Sequence, residues 1–298
     1  NATRLGRLVA EKTDIPPGVL NVVTSSDHLI GEELTISPLV DMISFTGSTA
    51  VGRRIMEKGA PTLKRVFLEL GGKSAMIVLD DADFASVVPG GSMVCIHGGQ
   101  GCAMQTRMLL PRARVDEGVE LVAAAMAAFP YGDPTSDAVM MGPLVSARQR
   151  ERVLGYIERG KEEGATLVTG GGRPADQPKG WFVEPTLFAD VDNSMTIAQE
   201  EIFGPVLVVI PYDDDDDAVR IANESNYGLS GGVFSGSAER ADAIARRLRT
   251  GSLSVNGGLW YGADSPYGGY KDSGIGRQCG IEGLEQYLET KAIAWPQG

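Results

Sequence analysis

Short apolar runs alternate with helically patterned stretches, and this alternation constrains the chain more than any other feature. The runs Val19–Val23, Met42–Thr46, Val66–Leu70 and Ala75–Leu79 sit among segments of helical pattern at 2–13, 28–36 and 49–59. Strands alternating with helices predict parallel βαβ units. Runs without strict polar alternation suit strands covered on both faces. Downstream, helices are expected at 84–96 and 116–128 around a strand at 106–111. A charged helix at 146–163 leads into the strand "ATLVTGG", and another strand follows at 206–210. A helix starting in "DDDDDAVRIANES", strands in "GGVFSG" and "GSLSVNG", a helix at 280–288 and an extended "KAIAWP" complete the pattern. The 39 Gly and 16 Pro fit many short elements joined by tight turns. The fold class is α/β.

The 298 residues suggest about two domains, and 43% apolar residues suffice for a real core. A formal charge of −12 argues against nucleic acid as a partner and against an anionic membrane surface. No apolar run reaches the eighteen residues of a membrane helix. The three cysteines, Cys95, Cys102 and Cys279, do not form a disulfide framework. Neither His28 nor His97 lies in a Cys/His cluster at zinc-ligand spacing, so no metal site is expected. The aspartate run reads as a solvated helix start, stabilised by the positive end of the helix dipole.

Four segments carry candidate chemistry. "FTGSTAVG" places Gly47 and Ser48 between an apolar strand and a helix containing Gly52. That junction offers backbone N–H groups to a phosphate, or is an ordinary tight turn. In "LELGGKS", Glu69 sits near the carboxyl end of an otherwise apolar strand, where ligands bind in open α/β sheets. It reads either as a general base or as a rim carboxylate paired with Lys64 or Lys73. In "HGGQGCAMQTRM", Cys102 follows Gly98, Gly99 and Gly101, which permit close backbone approach. An accessible thiol beside free N–H groups can attack a carbonyl. A buried filler is the other reading, and it suits Cys95 in "SMVCI" better. "EEIFGPV" places Glu200 and Glu201 before a Gly-Pro turn, as ribose ligands or as a surface pair.

Taken with "SPYGGYKDSGIGR" and Arg107, these segments resemble the aldehyde dehydrogenase superfamily in order and separation over essentially the whole chain. The resemblance implies a Rossmann-like parallel-sheet cofactor domain, an α/β catalytic domain and a C-terminal oligomerisation strand. It implies NAD or NADP as cofactor, and oxidation of a small-molecule aldehyde to a carboxylic acid. Cys102 is then the nucleophile, forming a thiohemiacetal and, after hydride transfer, a thioester. Glu69 is the base for the hydrolytic water. Gly47, Ser48 and Gly52 fall at the pyrophosphate and its helix, Thr46 and Leu70 beside the nicotinamide, and Val51 against the adenine. Glu201 falls on the nicotinamide ribose with Phe203 beside it. Asn256 resembles a brace for the nucleophile loop. Leu259, Tyr261 and Tyr267 fall along the aldehyde tunnel, near Trp260.

The resemblance starts partway into the family, so a fragment of a longer enzyme is expected rather than an unusual short protein. The expected domains are 1–70 as the second half of the dinucleotide domain, 71–271 as the catalytic domain, and 272–298 as a return segment ending in the oligomerisation strand. A cytoplasmic homodimer or homotetramer is the expected setting. A coenzyme A-acylating semialdehyde dehydrogenase and a catalytically inactive scaffold chain are the alternatives.

Overall fold

The computed structural model describes residues 1–259 and 261–296. In chain order its elements are α1 (Ala2–Lys12), α2 (Leu29–Ile36), β1 (Met42–Thr46), α3 (Thr49–Gly59), β2 (Arg65–Glu69), β3 (Ser74–Val78), α4 (Phe84–Val87), β4 (Gln105–Pro111), α5 (Val115–Ala127) and α6 (Ala147–Glu162). There follow β5 (Thr166–Thr169), β6 (Thr186–Ala189), α7 (Thr196–Gln199), β7 (Val206–Tyr212), α8 (Asp215–Asn223), β8 (Tyr227–Gly228), β9 (Gly231–Phe234), α9 (Ala238–Ala245), β10 (Ser254–Val255), β11 (Tyr270–Lys271), β12 (Gly274–Ile275) and α10 (Gly280–Glu285). The chain divides into two compact units, Asn1–Ile43 with Arg53–Val66, and Ser44–Gly52 with Phe67–Gly298.

The larger unit is built on a seven-stranded sheet ordered β10-β9-β3-β4-β7-β6-β5. Its pairings are parallel except at the β5 edge, where β5 runs antiparallel to β6. The period of two along each strand divides the apolar residues between two cores. Ala75 and Ile77 of β3, Leu109 of β4, and Val206, Val208 and Ile210 of β7 face one core, with Val153 and Ile157 of α6 and Ala241 and Ile244 of α9. Met76 and Val78, Met108 and Leu110, and Leu207 and Val209 face the other, with Val122 and Met126 of α5. The predicted two-sided cover of the strands thus follows from helices on both faces. Separately, β12 pairs antiparallel with β2, setting Gly274 opposite Glu69, and β11 pairs with β8.

In the smaller unit, Arg54 pairs with Glu32 at 2.7 Å. The Lys64 ammonium donates to the carbonyls of Ser37 and Val40. The expected strand Val19–Val23 does not form, and Val19 and Val23 are 69% and 70% exposed. An apolar run becomes a strand only where a neighbour completes its hydrogen-bond ladder. Among the described residues, none runs beside this one.

Other expectations shift for local reasons. The helix expected at 84–96 is one turn, α4, followed by a 3₁₀ run Val88–Gly99. Pro89 removes a donor and Gly90-Gly91 weaken an α-helix, so the tighter form takes over. The run breaks at His97 (φ 54°) and Gly98 (φ 67°). The helix expected at 280–288 stops at Glu285. Strand β6 and helix α9 had no strong sequence signal, the first because four residues carry no resolvable period. Residues 289–296 pair with no strand within the described chain, and Trp295 is 83% exposed. The aspartate run opens α8, with the Asp214 carboxylate capping the Asp217 N–H at 2.8 Å. Among the described residues no helix is long and apolar enough to cross a membrane. Among them, too, no cluster of three or more His, Cys, Asp or Glu could hold a metal ion.

Candidate active site

Cys102 lies in the loop between the 3₁₀ run and β4, at the amino end of that strand. Polar anchors fix the loop on both sides of the thiol. Gln100 donates to His97 O and accepts from the Val145 N–H, both at 2.9 Å. The Ser230 hydroxyl, itself 2.9 Å from Ser74 Oγ, donates to Ala103 O at 2.8 Å. Gly99 has φ +70°, and any Cβ there would lie 2.0 Å from Gly204 O, so only glycine lets these two loops touch.

The half-buried Cys102 Sγ lies 3.6 Å from Tyr267 Oη. Tyr267 is 6% exposed. Its backbone exchanges two 2.8 Å hydrogen bonds with Gln278, and its ring meets Tyr261 edge-on with centroids 6.0 Å apart. Burial pushes the Tyr267 phenol up, and the charges of Cys102 and Glu69 push it the same way. Tyr267 therefore joins the sulfur and the carboxylate in one electrostatic neighbourhood.

Glu69 is the last residue of β2 and is 2% exposed. Its Oε1 and Oε2 are both buried without a hydrogen-bond partner. Burial pushes its carboxyl up to about 7, with the Arg277 charge opposing. The rim pairing with Lys64 or Lys73, weighed from the sequence, is therefore not made. A strand end that leaves a carboxylate dry and unpaired is an arrangement proteins avoid unless it is used.

The chain then turns through Gly71 and Gly72, two positions that site reasoning from the sequence passed over. A Cβ on Gly71 would lie 2.5 Å from Glu201 Oε2, and one on Gly72 would lie 2.3 Å from Cys102 O. The Gly72 N–H donates to Glu201 Oε1 at 3.1 Å. One glycine pair therefore lets the Glu201 carboxylate approach on one side and the Cys102 loop on the other. Helix α6 holds the Glu201 loop from outside. Arg152 donates to Glu201 O at 2.9 Å, and Gln149 to Phe203 O at 2.8 Å.

Lys73 and Arg107 lie beneath this floor. Arg107 is fully buried and donates to Lys73 O, Asn193 Oδ1, Ile221 O and Ala222 O at 2.9–3.0 Å. Lys73 Nζ is buried without a partner, and burial pushes it down to about 7. Both were marked in the sequence only by their place in motifs.

At the start of α3, Thr46, Gly47 and Ser48 are exposed. The Gly47 N–H donates to Glu69 O at 3.0 Å, and Ser48 Oγ accepts from Val51 N at 3.4 Å. Val51 is exposed, while Leu70 is buried and its methyls would lie 2.8 Å from a Cβ on Gly52. An exposed strand-to-helix junction and a carboxylate on a backbone N–H fit a phosphate and a ribose diol. Phe203, at φ 59°, stands beside Glu201 and is partly exposed. Asn256, at φ 49°, accepts from the Ser235 N–H at 2.9 Å, which links β10 to the end of β9. Leu259 is 90% exposed, and Trp260 lies outside the described residues. Of the tunnel candidates, the structure thus brings Tyr267 to the thiol, with Tyr261 packed edge-on against Tyr267. Cys95, by contrast, is core, and burial pushes its thiol up to about 12.

The chain has relatives among known proteins. The aldehyde dehydrogenase family pattern matches residues 2–293. The chain is 45% identical over 292 residues, 97% of its length, to a 3-succinoylsemialdehyde-pyridine dehydrogenase of a Pseudomonas species, covering 61% of it. It is 47% identical to a geranial dehydrogenase of Castellaniella defragrans, with 95% of this chain and 59% of that protein aligned. An NAD+-complexed aldehyde dehydrogenase of Mycobacterium tuberculosis superposes with a TM-score of 0.96 at 49% identity, over 100% of this chain and 61% of that one. A cysteine-to-alanine mutant of aldehyde dehydrogenase C from Pseudomonas syringae, complexed with NAD+ and octanal, superposes with a TM-score of 0.91 at 45% identity, over 94% and 58%. The chain therefore spans about 60% of the length of the relatives it matches. With the pattern matched from residue 2 to residue 293, the chain belongs to the aldehyde dehydrogenase family.

Proposed function

We propose that the protein to which this chain belongs oxidises an aldehyde to a carboxylic acid with NAD or NADP, using Cys102 as nucleophile and Glu69 as general base. One observation carries the reading: an accessible thiol and a dry, unpaired carboxylate share the neighbourhood of one tyrosine. The Cys102 thiolate adds to the aldehyde carbon to give a thiohemiacetal. A nicotinamide dinucleotide, when bound, would accept the hydride that the thiohemiacetal carbon loses in becoming a thioester. Glu69, its carboxyl up at about 7, then takes a proton from the water that attacks the thioester. Glu201, fixed by Gly72, would hold the nicotinamide ribose, and Gly47 and Ser48 the pyrophosphate, with Thr46, Val51, Gly52, Leu70 and Phe203 around them.

Tyr261 and Tyr267 give the aldehyde an aromatic wall. Similarity to a geranial dehydrogenase and to an octanal-complexed enzyme supports an apolar aldehyde. Residues 1–70 serve as the cofactor half-domain, 71–271 as the catalytic domain and 272–298 as the return and oligomerisation segment of a homodimer or homotetramer.

The test is NAD(P)H formation by the full-length protein. Cys102→Ala abolishes it. Glu69→Gln keeps a first-turnover burst but slows steady turnover by about 10²–10⁴. Full activity in Cys102→Ala would end the assignment. Acyl-coenzyme A as the product, with Glu69→Gln unimpaired, would favour the acylating alternative.

A further inference from the structure

We propose that the Tyr267 hydroxyl is the hydrogen-bond donor that aims the Cys102 sulfur and stabilises it as a thiolate before any aldehyde arrives. The inference deepens the function proposed above and rests on Cys102 being its nucleophile.

The geometry is specific. Oη lies 3.6 Å from Sγ, within range of a hydrogen bond to sulfur. Once the thiol has lost its proton, only the phenol of this pair can donate, so the direction is fixed in the reactive state. The donor is held in place by the two backbone bonds to Gln278 and the edge-on Tyr261 ring. Among the groups facing Tyr267 are Cys102 from its loop, Glu69 from β2 and Tyr261, and Arg277 faces Glu69 in turn. Burial and the two negative groups all push the phenol up, so it keeps its proton wherever the thiolate exists. Both Glu69 oxygens are without a hydrogen bond, so the phenol proton is not spent on that carboxylate. A donor on the sulfur lowers the pH at which the thiol ionises, since hydrogen bonds to the charged form favour it.

Peptide-resolved alkylation of Cys102 by iodoacetamide in the full-length protein, followed against pH, reads the thiol without aldehyde or dinucleotide. Counting only the Cys102 peptide removes Cys95 and Cys279. Tyr267→Phe keeps the ring and should raise the midpoint of alkylation by about one pH unit, about a tenfold loss of rate below it. Fluorotyrosine at position 267, a stronger donor, should move the midpoint down. Repeating both in a Glu69→Gln background removes titration of that carboxylate from the profile. An unchanged midpoint in Tyr267→Phe with an unchanged melting temperature overturns the proposal, as does an upward shift with fluorotyrosine. Absence of NAD(P)H formation in the wild type would instead overturn the proposed function, and the alkylation result would stand apart from it.

Discussion

Glu69 and Cys102 show how environment assigns different work to ordinary side chains. Burial holds the Glu69 carboxyl up at about 7, far above its value of 4.5 in water. A carboxyl raised on folding costs no stability below pH 4.5. The cost grows between 4.5 and about 7 and is constant above that. Glu69→Gln should therefore raise stability at pH 8 by up to about 3 kcal/mol, the gain fading as the pH falls towards 4.5. Thermal melts of both proteins at several pH values check this, and a pH-independent difference would contradict it. In the proposed reaction the same carboxylate would make the hydrolytic step rise through pH 7, since only the ionised form accepts a proton. Cys95 and Cys102 differ by environment alone. One is sealed among Met108, Val122 and Leu207 in the second core, while the other stands on a glycine-rich loop.

Among the elements, the Gly71-Gly72 turn after β2 decides whether the site assembles. Gly72→Ala would drive a methyl into the Cys102 carbonyl. Activity should fall by at least about a hundredfold while the fold and its melting temperature change little, because misplacing reacting groups by an ångström costs that much. Circular dichroism with steady-state kinetics separates the two effects. Arg107 predicts the opposite pattern. Its guanidinium ties β4 to β3, to Asn193 and to the end of α8 through uncharged acceptors. Arg107→Leu strands buried acceptors and should cost about 3–5 kcal/mol in urea unfolding.

These elements also show what was legible in advance. The strands β1 to β4 and β7 and the helices α3, α5 and α6 follow directly from apolar runs and breakers. The seating of Glu69 at the end of β2 follows the rule for open α/β sheets. Cys102 does not, since it enters from the amino end of β4. The strands β5 and β10 lie inside the expected runs "ATLVTGG" and "GSLSVNG", whereas β6 and the two-residue strands β8, β11 and β12 were invisible, because so few residues establish no period. Gly71 and Gly72 could have been flagged only as a doubled glycine at a strand end. The atoms they make room for come from 30 and 130 residues away in the chain (102 − 72 and 201 − 71).

For the whole molecule, the C-terminal segment leaves apolar residues exposed, and in the proposed oligomer these would meet other chains. Ile293 and Trp295 stand in water with no strand partner in the described chain. In the full-length protein, Ile293→Asp with Trp295→Ala should shift sedimentation towards smaller species, and an unchanged sedimentation profile would remove this segment from the oligomer interface. Sequence by itself determined the α/β class and the order of most strands and helices, and it marked Cys102 and Glu69 as candidates, because period, breakers and motif spacing are local properties of the chain. Tertiary structure alone decided that Val19–Val23 would form no strand, that Glu69 would lack a partner, that Arg107 would bind carbonyls, and that a tyrosine 165 residues away would meet Cys102. Those outcomes depend on which groups are excluded from water and which neighbours stand beside them, and folding sets both.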